Sequence, residues 1–394
     1  MKIKKIIWFL AFVISLSSCS KNNNNSNMTE DKNIPSIKKV DTNKDKDSKN
    51  DDNNEITEQI KENNSQTYSL SDLTKHEKIY YDYFDTITSF TAYTKTEEEF
   101  NKYLKLLEKA MQRYHELYNG YNSFEGVNNI KTINENAGKK PVEVDPEIIE
   151  LINFAKEIYK DTDGKINIAY GSVLELWHNA RETFLETENR DVIPTKEELE
   201  EKAKHKDIDK VIVDEDNNTV FLEDPEMKLE LGAVNKGFAI KKLGKILVDA
   251  GVKNAVLSVG GDDLLIGDNP SRENGKWNIA IQNPDLNSEE TYRSIVGLTN
   301  TTVVTSGDYQ RFFEVDGVRY HHIIDTDTNM PAKYFKSVSV VCDDIALADG
   351  LSTYLFTIDL DKGKEICKKL GIEAYWIDLD DNEHKTDGWE ELEI

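Results

Sequence analysis

The sequence predicts an α+β fold, with mixed or antiparallel sheets and packed helices, behind a disordered tether. Three observations carry this. Short alternating strands occur in runs, separate helical repeats interrupt them without a regular βαβ winding, and the first 75 residues of the 394 are almost devoid of large apolar side chains beyond one short run.

The N-terminus comes first. Lys2, Lys4 and Lys5 form a basic region, and the apolar run from Ile6 to Leu16 is too short to span a bilayer. Leu16-Ser17-Ser18-Cys19 follows, a small-residue site ending in cysteine. It resembles the bacterial lipobox, which implies a signal peptide over 1–18 and lipidation of Cys19; the plainer alternative is an ordinary secretory signal. Two acyl chains would give a stable attachment, and the expected location is the extracytoplasmic face of the cytoplasmic membrane. Residues 19–75 are rich in Asn, Asp, Lys, Ser and Glu and cannot bury enough area to offset chain entropy. As a random coil, roughly 55 such residues reach about 40 Å.

The folded part is expected over 76–394. Tyr80–Thr94 alternates and is rich in Tyr, Phe and Thr, which predicts a strand or hairpin. Helical spacing runs from Glu97 to Tyr118 and from Pro146 to Tyr159, the latter with Asp145 as N-cap. Strands are expected at 210–213 and 219–222, a helix over 233–250, and further strands at 255–259, 277–282, 294–298, 301–305, 311–315 and 337–341. Helices over 346–356 and 362–370 complete the pattern. Cys342 and Cys367 sit in apolar runs and read as buried fillers, leaving a large core rather than disulfides to hold the fold.

The net charge of −25 repels polyanions, which argues against nucleic acid as a partner. An anionic ligand would need local lysines or a bound cation to offset that field.

Several segments could carry chemistry. Glu230-Leu231-Gly232-Ala233-Val234-Asn235-Lys236-Gly237 reads as a strand end turning into a helix, whose free N–H groups suit an anion. Asp349 and Thr353, in Ala348-Asp349-Gly350-Leu351-Ser352-Thr353, lie one helical turn apart and offer hard oxygens of the kind magnesium takes; the structural alternative is a dipole-complementing Asp and a back-bonded Thr. Thr305-Ser306-Gly307-Asp308-Tyr309 leads through Arg311 and a hairpin turn to Tyr320-His321-His322-Ile323-Ile324-Asp325. Leu257-Ser258-Val259-Gly260-Gly261-Asp262 runs a strand into a double glycine.

Together these blocks, with Tyr118-Asn119-Gly120-Tyr121 and Gly164-Lys165-Ile166-Asn167-Ile168 upstream, resemble the ApbE-type FAD:protein FMN transferases across nearly all of residues 80–380. The resemblance implies an ApbE/T-fold-like arrangement and a magnesium-dependent transfer of FMN from FAD to a Thr or Ser hydroxyl of an acceptor flavoprotein. It implies metal ligands at Ala233 (main-chain carbonyl), Asp349 and Thr353. Flavin-nucleotide contacts are implied at Phe84, Tyr121, Lys165, Ile166, Asn167, Lys236, Gly260, Gly261, Asp262, Thr305, Ser306, Gly307, His322, Ile323 and Ile324. His322 is a candidate general base, with a metal-adjacent carboxylate as its competitor, and Asp349 is the candidate catalytic metal ligand. Hydrolysis of FAD to FMN and AMP and a non-catalytic flavin-binding lipoprotein remain the alternative activities.

Two departures stand out. Relatives read Asp-Pro-x-Thr-Gly where this chain has Asp325-Thr326-Asp327-Thr328-Asn329, so Asn329 is expected to take the left-handed position and the turn to be looser. Asn167 stands where relatives carry Asp, which keeps a hydrogen-bonding side chain and loses a charge.

Overall fold

The structure, a computed structural model, describes residues 72–394. The signal segment, Cys19 and all but the last residues of the tether lie outside the described residues. Among the described residues no helix is long and apolar enough to cross a membrane.

The chain opens with β1 (Thr74–Tyr80), which pairs antiparallel with β2 (Thr88–Thr94). The hairpin expected over 80–94 therefore starts earlier, and β1 reaches two residues into the expected tether. Its Thr-Lys-His-Glu-Lys sequence is that of a polar edge strand, which hydrophobic patterning does not reveal. Next, α1 (Glu97–Leu117) begins where Thr96 accepts the Glu99 N–H and buries Phe100, Tyr103, Leu107, Met111 and Tyr114. After α2 (Ile130–Glu135) and β3 (Val142–Glu143) comes α3 (Pro146–Asp161), with Asp145 as its cap. Arg113 of α1 grips that Asp145 through two bonds of 2.8 and 2.9 Å, which fixes the start of α3 against α1.

A helix without forecast follows, α4 (Gly171–Thr187), then α5 (Lys196–Lys202). The spacing of Val173, Trp177, Ala180 and Phe184 carried the signal for α4, but no side chain caps its start and Gly171 opens it. Gly171 is needed there, since a Cβ would lie 2.5 Å from the Lys228 carbonyl oxygen. Strands β4 (Val211–Asp214) and β5 (Thr219–Leu222) join β3 in a small sheet of order β3-β5-β4.

The second half supplies α6 (Asn235–Asp249), β6 (Ala255–Val259), β7 (Asp262–Ile266), β8 (Trp277–Gln282), β9 (Tyr292–Leu298) and β10 (Thr302–Gly307). Then come β11 (Phe312–Val315), β12 (Val318–His321), β13 (Ile324–Asp325), β14 (Met330–Pro331), β15 (Phe335–Cys342), α7 (Ile345–Phe356), α8 (Leu360–Leu370), β16 (Glu373–Asp378), β17 (Glu383–Lys385) and α9 (Trp389–Leu392). The main sheet has the order β1-β2-β6-β7-β10-β15-β16-β17, and each of its pairings is antiparallel. This is the α+β class the sequence predicted.

Alternation along the strands sends side chains to two cores. Leu257, Val304, Val338, Val340 and Trp376 join α1, α6 and α7 on one face. Val256, Leu265, Val303, Val341 and Ile377 join Trp277, Val296 and Trp389 on the other, beneath the β8–β9 hairpin and α9. A sheet covered on both faces hides its strands from period-two analysis, which explains why β7 and β16 went unforeseen. Truncating a fully buried anchor such as Trp376 to Ala is a loss of about 3–5 kcal/mol. Cys342 and Cys367 are both buried and unpaired, and burial pushes their thiols up to about 11 and about 12.

A third, smaller core fixes the wall of the site. Trp177 of α4 stacks on Tyr320 and Tyr320 on Phe313, and Phe313 meets Phe184 at a tilt, with ring centroids 5.7, 5.3 and 5.4 Å apart. This ladder clamps the β11–β12 hairpin to α4.

Candidate active site

Between that wall and the helical face of the main sheet lies a cleft of about 2130 Å³. Its floor and sides come from the 81–87 turn, the 118–121 loop, the 165–171 loop, α4, the 228–236 segment, Gly260-Gly261, the end of β10, the β11–β12 hairpin and α7. The lining carries seven Lys or Arg side chains against six Asp or Glu, in a chain whose net charge is −25. The cleft is therefore the place where the acidic field is locally relieved.

At one end α6 meets α7. Gly237 has no room for a side chain: a Cβ would lie 2.5 Å from both the Asp349 Cβ and the Ile345 carbonyl oxygen. Because the helices approach so closely, the Gly237 N–H donates to Asp349 Oδ2 at 2.7 Å. Asp349 is 4 % exposed, and burial, reinforced by nearby Asp262, pushes its carboxyl up to about 7. One turn on, Thr353 shares this corner with Ser306 of β10, their hydroxyls 3.3 Å apart, and Ser306 also meets Ser352 at 2.8 Å. Ala233 lines the same cleft.

These groups fit a hard cation. A buried carboxylate whose charge is penalised, a hydroxyl and a carbonyl-bearing turn form an all-oxygen set. Among the described residues no group of three or more His, Cys, Asp or Glu side chains forms a metal cage, so an ion here would take further oxygens from a substrate.

Lys236 stands beside this corner with its ammonium 2.8 Å from Asp262 Oδ2. Burial opposes its charge, but Asp262 and Asp349 outweigh that and hold the amine above the usual lysine range. Asp262 itself is fully buried and does not line the cleft, so the expected direct contact with the nucleotide becomes a contact with Lys236. The helix end also offers less than the sequence suggested. The Asn235 N–H is spent on the Leu231 carbonyl and the Gly237 N–H on Asp349, which leaves Lys236 as the main cationic group of this segment.

The double glycine rims the cleft with φ of +60° at Gly260 and +90° at Gly261, a region that favours glycine. A Cβ at Gly260 would strike Thr86 Oγ1 at 2.7 Å, so this loop also seats the 81–87 turn. In that turn Phe84 has φ +57° and donates its N–H to His115 Nδ1 at 3.1 Å. Tyr121 is half exposed across the mouth and stacks on His178 of α4, centroids 4.7 Å apart.

The histidine pair divides its labour. His321 is buried, with Nε2 2.9 Å from the Ala332 carbonyl and Nδ1 accepting the Ile323 N–H at 3.2 Å, and burial draws its ring down to about 4. His322 faces the cleft. Its ring is reachable from solvent through the opening, yet protein surrounds it otherwise, and that enclosure followed by Arg311 draws it down to about 3. It stands as a neutral imidazole at neutral pH. Ile323, Ile324, Thr305 and Gly307 line the cleft nearby; Thr305 Oγ1 lies 2.8 Å from Ser339 Oγ, and a Cβ at Gly307 would clash with the Tyr309 ring at 2.3 Å.

Two expected contacts already have partners within the chain. Lys165 touches the cleft, but its ammonium is held by Asp325 at 2.6 Å and Asp327 at 2.7 Å. Asn167 spends its amide on the Lys206 carbonyl at 2.9 Å and its oxygen on the Ala169 N–H at 2.9 Å. Both side chains brace loops, and Lys165, Asn167 and the buried Ile166 between them all line the cleft. The 325–329 turn, which lacks the proline, is braced by hydrogen bonds. Asn329 takes the left-handed position at φ +60°, its side-chain oxygen accepts from the Tyr170 hydroxyl, its carbonyl accepts from Trp177 Nε1 at 2.9 Å, and Lys206 reaches the Thr326 carbonyl at 3.2 Å. These bonds and the Lys165 pair tie the turn to α4 and the neighbouring loops.

Residues 84–376 match the model of the ApbE family. The chain belongs to the ApbE family. It is 30 % identical over 245 residues to an FAD:protein FMN transferase of Haemophilus influenzae, covering 61 % of this chain and 69 % of that protein. A Treponema pallidum FAD:protein FMN transferase is 30 % identical over 261 residues, covering 63 % and 70 %. Among solved structures, the ApbE protein of Thermotoga maritima superposes with a TM-score of 0.71 at 27 % identity, covering 82 % of this chain and all (100 %) of that one. The flavin transferase ApbE of Vibrio cholerae shares the fold, with a TM-score of 0.68 at 22 % identity and coverage of 81 % and 99 %.

His178, Arg181 and Arg311 are cleft residues that the sequence reading of an ApbE-family site did not nominate. The first two belong to the unforeseen α4. Arg311 lay in plain view within a quoted motif, and only the hairpin register shows that it shares a face with His322.

Proposed function

We infer that this chain is an enzyme that transfers FMN from FAD to a Thr or Ser hydroxyl of an acceptor flavoprotein, releasing AMP. The observation that carries it is the convergence of Asp349, Thr353, Ala233, Lys236 and His322, from three separate stretches of chain, on one cleft whose lining is close to charge balance in a strongly acidic chain. Its relatives are FAD:protein FMN transferases, and they match over most of the folded part.

Magnesium dependence is part of this reading. Asp349, Thr353 and the Ala233 carbonyl would hold the ion, which when bound supplies positive charge against the diphosphate and fixes its orientation. The chain's own residues do the rest. Lys236, kept charged by Asp262, offsets further anionic charge. Tyr121 and Phe84 present rings to the flavin at the mouth. His322, neutral and facing the cleft, accepts the proton of the attacking hydroxyl. The closely packed α6 and α7 hold Asp349 in place and keep bulk water from its carboxylate.

The protein is further proposed to work at the extracytoplasmic face of the membrane, attached by lipid at Cys19. Mass spectrometry of the mature protein from cells, reading an acylated N-terminal cysteine or an unmodified one, checks this directly.

Purified protein incubated with FAD, MgCl2 and a flavoprotein subunit should give covalent flavin fluorescence on the acceptor in a denaturing gel, with one AMP per label. Asp349→Asn should lower the rate at least about a hundredfold and remove the magnesium dependence of FAD binding. AMP release equal with and without acceptor, and no label, would instead identify a pyrophosphatase.

A further inference from the structure

The chain has seven arginines, and six are committed. Arg113 pairs with Asp145, Arg181 with Glu182, Arg190 with Asp316, Arg293 with Glu383, Arg319 with Asp308, and Arg272 reaches the Asn278 side-chain oxygen. Arg311 alone, an exposed residue, meets no carboxylate or other side-chain acceptor among the described residues. In a chain with 74 acidic and 49 basic side chains, an arginine left without an acid is conspicuous. Glu230 is near enough for Arg311 to pull its carboxyl down against burial, yet no ion pair forms, and Glu230 Oε2 is spent on the Gly232 N–H at 2.9 Å.

Arg311 is aimed at the site by the hairpin. Phe312 lies opposite His321, and the next rung joins the His322 N–H to the Arg311 carbonyl at 3.1 Å. Residues paired across a ladder project from the same face, and here that face is the cleft, which both side chains line. A planar fork of donors suits a phosphate better than any single-point cation does.

We propose that Arg311 is a catalytic residue of the transfer, whose guanidinium receives the diphosphate of FAD and neutralises charge gathering on the FMN-side phosphoryl group while His322 takes the hydroxyl proton. This rests on the FMN-transfer reading. In the step, the acceptor oxygen bonds to the FMN-side phosphorus as that phosphorus separates from the bridging oxygen, which departs with AMP; the proton passes to the imidazole and then to solvent. Arg311, His321 and Arg181 all act against an imidazolium at His322, so before substrate arrives the ring is neutral and free to accept. A bound diphosphate engages the same arginine and removes that restraint when the proton must move.

The test uses the full chain with FAD, MgCl2 and an acceptor flavoprotein. Arg311→Gln should lower kcat by about a hundredfold to a thousandfold, with FAD affinity falling about tenfold or less, and should move the acidic limb of the kcat profile to higher pH. Arg311→Lys should recover only part of the rate. The exposed side chain makes both variants compatible with folding, which thermal melts verify. A kcat for Arg311→Gln within threefold of the parent, or an acidic limb that does not move, overturns the assignment. Parent protein that neither labels the acceptor nor releases AMP from FAD overturns the transfer reading instead.

Discussion

Gly237→Ala probes the contact on which the proposed cation corner is built. The added methyl would lie 2.5 Å from the Asp349 Cβ and from the Ile345 carbonyl oxygen, and 3.1 Å from the Ala346 Cα. Ordinary contact is about 1 Å longer, and two of these three atoms are backbone, so no rotamer change relieves the clash. Helix α7 must move away from α6. Overpacking of this kind is a loss of about 1–3 kcal/mol. The movement also stretches the 2.7 Å bond from the Gly237 N–H to Asp349, a charge-assisted bond in a buried setting worth about 1.5–3 kcal/mol. The two effects share one displacement and do not add fully, so about 3 kcal/mol is expected. Urea unfolding at constant m gives this directly as a fall in midpoint, and titration with FAD and MgCl2 should show affinity lost by at least about tenfold in the same variant. A destabilisation below about 1 kcal/mol with unchanged FAD affinity would refute the claim that this close approach positions Asp349.

Two further outcomes follow. His321, held neutral by burial with its folded ring drawn down to about 4, takes up a proton more readily in the unfolded chain, so stability is full above about pH 6.5 and is lost as pH falls toward 4; a His321→Gln variant should flatten this part of the stability-versus-pH curve, and an unchanged slope would exclude the histidine. Asn329→Ala should cost about 1–2 kcal/mol, from a left-handed residue at φ +60° and the lost acceptor for Tyr170, whereas Asn329→Gly should cost less, which chemical denaturation of the pair would distinguish.

Much of this was legible in the chain itself. Amphipathic spacing located α1 and α3 because each buries a single stripe, and capping chemistry at Asp145 marked the start of α3. The Asn329 conformation followed from side-chain sterics alone. The resemblance that the local motifs carry, rather than the motifs taken singly, nominated Asp349, Thr353, Lys236 and His322. Periodicity failed for β7 and β16, whose environment is buried on both faces, and for the polar edge β1, because alternation arises only where one face is wet.

Tertiary structure decided the rest, since roles depend on what lies across space. Lys165 and Asn167, expected as ligand contacts, line the cleft with side chains held by Asp325, Asp327 and the Lys206 carbonyl, which are distant in sequence. Asp262 became the buried counter-charge of Lys236. Arg311 acquired a proposed role because the hairpin register sets it beside His322 while every other arginine finds an acceptor. The amino-acid order determines which groups exist and which local shapes they prefer; only the packed chain determines which charges are already neutralised, and so which remain available to a substrate.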